Sequence, residues 1–315
     1  MAALLLAALL TWFVWSHTDG TRLLAAFVKI DWAYYAAAVA ALFGYQILRT
    51  LRTRRLLDPQ PGFFKLFDTL CILSVINAYL PAGVGDIGIV YLLRRRHGIG
   101  VHVGAAALVI AAIADLAVFF VLFVVLLASM AHMIPKQVYP VITGVGGALV
   151  VAIGSIILLG CVAGWDRTAA LSQQDSLLGR AIRLSLSFVE ALQLVRSPRV
   201  LLPVLGLSAA MWIFHYLQWL FILRAVGLTL SPASVLWIYV LFFVATFLPV
   251  RGLAAMGPRI AIWFFALQLV SVQETQAATA AFSVDILLQT LSLWAGAVPL
   301  LALLCSLVVK RGGSA

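Results

Sequence analysis

The chain has 315 residues, of which 64% are apolar and only 10% are charged, and its mean hydropathy is +1.11. Soluble domains carry about 25% charged residues, so this composition excludes a water-soluble enzyme, a disordered chain and a nucleic-acid-binding domain. Lys and Arg outnumber Asp and Glu by 21 to 11, which leaves a net charge of +10. In so apolar a chain, a basic excess indicates the cytoplasmic loops of a polytopic membrane protein.

The cysteines and histidines are not spaced for a metal site. Cys71, Cys161 and Cys305 are odd in number and far apart, and the five histidines form no HExxH or HxxxH pair. We therefore predict no metal, no cofactor and no disulfide framework. The apolar run 2–16 lacks a cationic n-region and a convincing cleavage site, which favours a retained spanning helix over a signal peptide.

In the first half of the chain, the runs 2–16 and 32–48 predict two short spanning helices with an aromatic belt between them. The second run leads into a basic cluster. We assign this cluster to the cytoplasm, where its members act as topology anchors that pair with anionic lipid: Arg49, Arg52, Arg54, Arg55 and Lys65.

The next apolar run, 63–80, is interrupted at Pro81, Gly83 and Gly85, and only about seven apolar residues separate this break from Arg94–Arg96. Seven helical residues cover roughly 10 Å, which is too little to cross a ~30 Å hydrocarbon core. Since the three arginines should also lie inside, the pattern predicts a re-entrant hairpin that opens to the cytoplasm.

The remaining spans follow from apolar length. Runs 101–130 and 139–163 predict a helical pair, and 164–199 predicts an amphipathic helix on the cytoplasmic surface. Runs 200–223 and 276–309 predict the last two crossings. The result is an all-α protein with six spanning helices, two re-entrant hairpins and both termini inside, and 15 of the 21 Lys and Arg residues lie on its cytoplasmic side.

A second broken element lies between these last two crossings. The apolar run 233–248 is interrupted at Pro249, Gly252 and Gly257, and a short apolar return to Val270 follows. The next loop carries no positive charge, so this hairpin is predicted to open to the outside.

The two broken elements follow the same order of Leu-Pro, glycine turn, apolar return and a helix that carries an aspartate. Asp115 lies 34 residues after Pro81, and Asp285 lies 36 residues after Pro249. Opposite orientation of two such elements indicates an inverted-topology repeat rather than two coincidental kinks. The predicted organisation is one membrane domain over 1–315, with halves at 32–163 and 200–309 and a linker at 164–199.

These segments resemble a known family. The stretch Asn77–Asp86 followed by YLLRRR, and then Leu248, Pro249, Gly257 and an Ala-rich last helix, are similar to the flippase-like transmembrane domain of lysylphosphatidylglycerol synthases and their stand-alone relatives. The resemblance covers nearly the whole chain. It implies a multi-pass protein of a bacterial-type inner membrane that moves or binds a phospholipid, polyprenyl lipid, glycolipid or hopanoid. No polar stretch exceeds about 36 residues, so an aminoacyl-transferase domain is not expected.

The chain also departs from the family pattern. Ile89 stands where the family usually has an arginine, and Ala112 and Ile113 replace an acid–base pair. Near the second break the family usually has an acidic residue, with a basic one in the last helix. Here Arg259 and Asp285 stand there, as if the two signs were exchanged. Such an exchange would keep the contact and alter the polarity of the cavity.

Ionisable groups at membrane depth cost at least about 2.5–3.5 kcal/mol to insert, so each is a candidate for function. Arginines beside a broken helix suit bidentate binding of a lipid phosphate. Carboxylates there could hold those arginines, bind a cationic headgroup or take up protons. The alternative is that these charges only pair with one another and fix helix packing. The predicted substrate-binding residues are Arg251, Arg259, Asp86, Asp115, Asp285, Asn77 and Tyr79.

Two further groups are interpreted structurally. His215 lies within a predicted span, where a lone histidine is more often a hydrogen-bonded packing residue than a ligand. The hinge residues are predicted to shape the breaks rather than to touch the substrate: Pro81, Gly83, Gly85, Pro249, Gly252 and Gly257.

The predicted function is flipping of an amphiphilic lipid, whose headgroup passes through a polar midplane cavity between the two hairpins. No Walker A motif or phosphorylation motif is present, so ATP does not drive the movement. The expected partners are the bilayer and its lipid, with no nucleic acid. The alternatives are a lipid-binding scaffold for a partner lipid-synthesis enzyme or, less favoured, an intramembrane lipid-modifying enzyme; the main prediction is that the protein is not an enzyme.

Overall fold

The computed structural model of the chain describes residues 21, 25, 27–79, 84–130, 147, 198–245 and 256–312. Several sequence predictions lie outside these residues. They are the spans at 2–16 and 139–163, most of the amphipathic helix at 164–199, and the positions Pro81, Gly83, Pro249, Arg251 and Gly252.

Within the described residues the fold is entirely helical, as predicted, and contains no β-strand. The helices are α1 (Trp32–Leu56), α2 (Phe63–Tyr79), α3 (Val84–His97), α4 (Val101–Met130), α5 (Pro198–Ala225), α6 (Pro232–Ala245), α7 (Met256–Leu269) and α8 (Glu274–Gly312).

Three described segments are long and apolar enough to cross a membrane: Val101–Val125 in α4, Arg199–Ala225 in α5 and Glu274–Leu301 in α8. They agree with the spans predicted at these places. Helix α1 has 25 residues but is not among them, because polar and basic residues occupy its second half.

Four described helices are short: α2 has 17 residues, and α3, α6 and α7 have 14 each. At 1.5 Å per residue, 14 residues reach about 21 Å, short of a ~30 Å core. Most of the predicted break positions lie outside the described residues. Gly85 and Gly257 are described, and each is the second residue of its helix, α3 and α7 respectively.

The described helices form two consecutive sets of four with the same order of lengths. The first set, α1 to α4, has 25, 17, 14 and 30 residues, and the second set, α5 to α8, has 28, 14, 14 and 39. In each set a long helix is followed by two short ones and a second long one.

The chain divides into two compact units. The first unit comprises Met1–Ile47, Phe67–Ile87 and Ile213–Ala315, and the second comprises Leu48–Leu66 and Gly88–Trp212. Each unit therefore draws residues from both sets of helices.

The core of the first unit is aromatic. The ring of Trp219 in α5 lies 4.6 Å from that of Trp263 in α7, and 5.0 and 4.8 Å from those of Tyr239 and Phe242 in α6. His215 shares a 2.6 Å hydrogen bond between its Nδ1 and the Tyr239 hydroxyl, which confirms the interpretation of this histidine as a hydrogen-bonded packing residue. These contacts fix α5, α6 and α7 around one cluster.

The core of the second unit relies on small residues along α4. Ala106, Ala107 and Ala114 are buried there, and small side chains let helices approach closely in membrane proteins. Further along α4, the Phe119 ring meets the Trp212 ring edge to face at 4.5 Å, which packs α4 against the middle of α5.

Candidate functional site

An ion pair within the apolar part of the first unit joins α7 to α8. The Nε of Arg259 donates to Asp285 Oδ1 at 2.8 Å, and its Nη2 lies 2.7 Å from the same oxygen. Arg259 is the fourth residue of α7, so it follows directly on the second break. Asp285 lies inside the apolar segment Glu274–Leu301. The structure thus brings together two of the predicted site residues.

The carboxylate of this pair is enclosed, whereas the guanidinium is not. The Asp285 side chain is 1% exposed and that of Arg259 is 22% exposed. One turn along α8, Gln289 donates its Nε2 to Asp285 Oδ2 at 2.9 Å. Within the described part of the chain Arg259 makes no other hydrogen bond.

A second ion pair lies in the second unit. The Nη1 of Arg52 in α1 donates to Asp115 in α4 and also to Ser208 Oγ in α5 at 3.0 Å. The indole of Trp212 donates to the same Asp115 oxygen at 2.8 Å. Here the arginine is the enclosed member, with 6% of its side chain exposed, and the aspartate is 20% exposed.

The position of Arg52 corrects one prediction. Arg52 was assigned to the cytoplasmic cluster as a lipid-facing anchor, but the structure buries it in an ion pair. The physical reason is that α1 continues to Leu56, past the predicted end of the span at residue 48. The continued helix carries Arg52 into contact with α4 and α5, where a buried guanidinium requires a carboxylate.

The family model described as Lysylphosphatidylglycerol synthase TM region matches residues 1–311 of the chain. The protein belongs to this family. No curated protein and no solved structure matches the chain. Membership confirms the resemblance found in the sequence, and with the apolar helices it indicates a multi-pass membrane protein with a lipid-related function.

The two residues predicted to carry exchanged signs relative to the family pattern form an ion pair. Arg259 stands near the second break and Asp285 in the last helix, and the two are in contact. The contact predicted for exchanged charges is therefore present.

The other predicted site residues lie at different places. Tyr79, the last residue of α2, donates its hydroxyl to the backbone carbonyl of Gln289 at 3.1 Å, which connects the first break to the helix that carries Asp285. Asn77 is exposed. Asp86 lies in the first turn of α3, and Arg251 lies outside the described residues.

Sequence reasoning did not assign the residues that support the two carboxylates. Gln289 follows Asp285 by four residues, a spacing that places both on one helix face, so this partner was detectable. Ser208 and Trp212 lie 93 and 97 residues after Asp115 and have no local signal. Among the described residues, no group of three His, Cys, Asp or Glu side chains is placed to hold a metal ion.

Proposed function

We propose that the protein moves an amphiphilic lipid between the leaflets of the membrane without ATP, and that it is not an enzyme. The observation that carries this proposal is the pairing of Arg259 with Asp285 inside apolar helices, with the arginine as the accessible member. Membership of a lipid-related membrane family supports the proposal.

In this mechanism, Arg259 binds the phosphate of the lipid headgroup. Asp285 holds the guanidinium through Nε and Nη2, and Gln289 holds Asp285. The fork is thereby oriented before the lipid arrives, which lowers the entropic cost of binding. The free N–H groups then bind phosphate oxygens by charge-assisted hydrogen bonds, while the acyl chains stay in the bilayer.

The accessible carboxylate of the other pair has a different role in the proposal. Asp115 is held by Arg52 and Trp212 but remains 20% exposed. A partly accessible carboxylate at membrane depth suits binding of a proton or a small cation. We assign to Asp115 the coupling of lipid movement to such an ion.

The topology proposed is an inverted repeat in a bacterial-type inner membrane, with both termini in the cytoplasm. Helices α2 and α3 form one re-entrant hairpin, and α6 and α7 form the other. The repeated order of Leu-Pro, glycine turn, apolar return and aspartate-bearing helix in the sequence supports this arrangement. Broken helices leave backbone groups free to line a polar path for the headgroup.

The test is transbilayer movement of fluorescent phosphatidylglycerol in liposomes that contain the purified protein. We expect Arg259→Gln to reduce movement to the level of protein-free liposomes and Arg259→Lys to retain part of it, because lysine keeps the charge but not the fork. Arg199→Gln is the matched control, since Arg199 is an exposed arginine at the start of α5. Lipid movement in liposomes with this variant should equal that with the unaltered protein.

Two results would contradict the proposal. If the lipid moves at the unaltered rate in liposomes with Arg259→Gln, the Arg259–Asp285 pair does not carry the headgroup. Lipid retained by the unaltered protein without any movement would instead favour the scaffold for a lipid-synthesis enzyme. Thermal unfolding of each variant shows that the loss of movement does not reflect loss of the fold.

A further inference from the structure

A pocket separate from both ion pairs lies within the first unit. Its volume is about 350 Å³, which falls within the range of small-molecule sites, roughly 300–1,000 Å³. Its polar lining comes from Lys29, Gln276, Thr279 and Ser283, and the turn 226–228 closes one side. We call it the end pocket, because it is lined by residues before α1, after α5 and in the first three turns of α8.

Two of these element ends, the start of α1 and the end of α5, are joined directly. The backbone N–H of Asp31 donates to the carbonyl of Ala225 at 3.0 Å, which joins the start of α1 to the end of α5. Asp31 also caps α1 by accepting a hydrogen bond from the N–H of Ala33 at 2.9 Å. Helix α5 ends at Ala225, and Gly227 follows it with a φ of +83°. The N–H of Leu228 then donates to the carbonyl of Leu223 and closes the turn.

The residues around the end pocket are those of a membrane–water interface. Trp32 is 65% exposed, and the guanidinium of Arg224 lies 5.8 Å from the centre of the Tyr34 ring. Exposed aromatic rings and long basic side chains concentrate at the level of lipid headgroups. A pocket at this depth is open to headgroups rather than to acyl chains.

The polar groups of the end pocket define what it can bind. Lys29 is exposed and supplies a positive charge. The hydroxyls of Thr279 and Ser283 donate to the carbonyls of Thr275 and Thr279, so towards a ligand their oxygens act as acceptors. The amides of 226–228 are likewise bonded within their own turn. Among its described lining residues the pocket therefore combines one cation with several acceptors, and Gln276 can both donate and accept.

This combination matches one ligand chemistry. We propose that the end pocket binds the headgroup of an anionic polyol lipid, with its phosphate on Lys29 and its hydroxyls donating to Thr279, Ser283 and Gln276. A choline headgroup has no hydroxyl donors for these oxygens and carries no net negative charge with its phosphate. Glycerol-phosphate and sugar-phosphate headgroups carry both.

The end pocket is distinct from the Arg259–Asp285 pair. Ser283 and Asp285 are two residues apart in α8, which places them about 200° apart around the helix axis. The lipid in the end pocket therefore does not occupy the site that the proposed translocation uses. Its role is to hold together the ends of α1, α5 and α8 at the membrane surface.

The experiment is photocrosslinking in phosphatidylcholine vesicles that contain the protein and a phosphatidylglycerol with a photoreactive headgroup. Crosslinks are expected on peptides that contain 27–32, 226–228 or 276–283. Lys29→Gln should reduce them about fivefold, the effect of removing one cation at a membrane surface. Lys29→Arg should preserve them, and Thr279→Val should reduce them by a smaller factor. Arg199→Gln again serves as the matched control.

Three results would overturn the proposal. They are equal crosslinking in Lys29→Gln and the unaltered protein, equal labelling by a photoreactive phosphatidylcholine, and complete competition by soluble glycerol phosphate, which would make the ligand a free anion. The two proposals fail separately. Arg259→Gln should keep the end-pocket crosslinks while losing lipid movement, and Lys29→Gln should keep lipid movement while losing the crosslinks.

Discussion

The two intramembrane ion pairs use the same residue types but present opposite charges. In the second unit the arginine is enclosed, with 6% of the Arg52 side chain exposed against 20% for Asp115. In the first unit the aspartate is enclosed, with 1% of Asp285 exposed against 22% for Arg259. The accessible group is an anion in one place and a cation in the other. The net charge and residue types of a buried ion pair therefore do not reveal which ligand it could bind. That depends on which member of the pair is accessible.

The identity of the enclosed member also determines how much stability is lost when its partner is removed. An enclosed carboxylate that loses its partner can take up a proton, whereas an enclosed guanidinium cannot lose one. The pair with the buried arginine should therefore be the more sensitive to loss of its partner. This difference can be measured.

The largest expected loss of unfolding free energy comes from Asp115→Leu. It leaves Arg52 charged and buried, with Ser208 as its one remaining hydrogen-bond partner among the described residues, which should cost about 3–5 kcal/mol of unfolding free energy. The matched variant Arg259→Leu should cost less, about 1–3 kcal/mol, because Asp285 keeps Gln289 and can be protonated. The measurement is unfolding of the purified protein in detergent.

The double variant Arg52→Met with Asp115→Leu is the control for this prediction. It removes both charges and should recover most of the lost stability, since an apolar pair of similar volume often replaces a buried ion pair without loss. Equal stability of Asp115→Leu and the unaltered protein would show that the pair is not buried as described.

A smaller loss of unfolding free energy is expected from Gln289→Leu. The change removes the hydrogen bond from Gln289 Nε2 to Asp285 Oδ2. Because Asp285 is enclosed, water cannot replace this hydrogen bond. The expected loss is about 1–3 kcal/mol, again by unfolding in detergent. Gln289→Glu with Asp285→Asn retains one hydrogen bond and one charge and should be less affected. A loss below the error of measurement would argue against enclosure of Asp285.

The smallest loss of unfolding free energy is expected from Trp212→Phe. This change keeps the ring against Phe119 but removes the N–H donor to Asp115. Because Asp115 is 20% exposed, water or a headgroup can replace the lost hydrogen bond, and the loss should stay below about 1 kcal/mol. A loss as large as that of Gln289→Leu would mean that the two carboxylates are equally enclosed and would remove the contrast between the pairs.

Much of the helical framework followed from sequence. The runs 101–130, 200–223 and 276–309 overlap the apolar segments of α4, α5 and α8, because about twenty apolar residues have few alternatives to a spanning helix. The Pro and Gly residues predict helix breaks at 81–85 and 249–257, and most of these positions lie outside the described residues. These signals are local, so one sequence suffices to read them.

The ion pairs were only half predictable. Arg259 and Asp285 were both candidates, and their contact agrees with the exchange of signs relative to the family. Arg52 was not a candidate, because it stood among four other basic residues that resemble a cytoplasmic anchor. Its partner lies 63 residues away, and nothing in the local sequence separates a buried arginine from its exposed neighbours.

The sequence by itself determined the class of molecule: an apolar, basic, all-helical membrane protein of a lipid-related family, with two proline-marked breaks. Only the tertiary structure decided which arginine meets which aspartate and which member of each pair stays accessible. The physical reason is that hydropathy sums local properties along the chain, whereas the accessibility of a charge depends on helices that are distant in sequence. In this protein that accessibility distinguishes Arg259, the exposed cation of one pair, from Asp115, the exposed anion of the other.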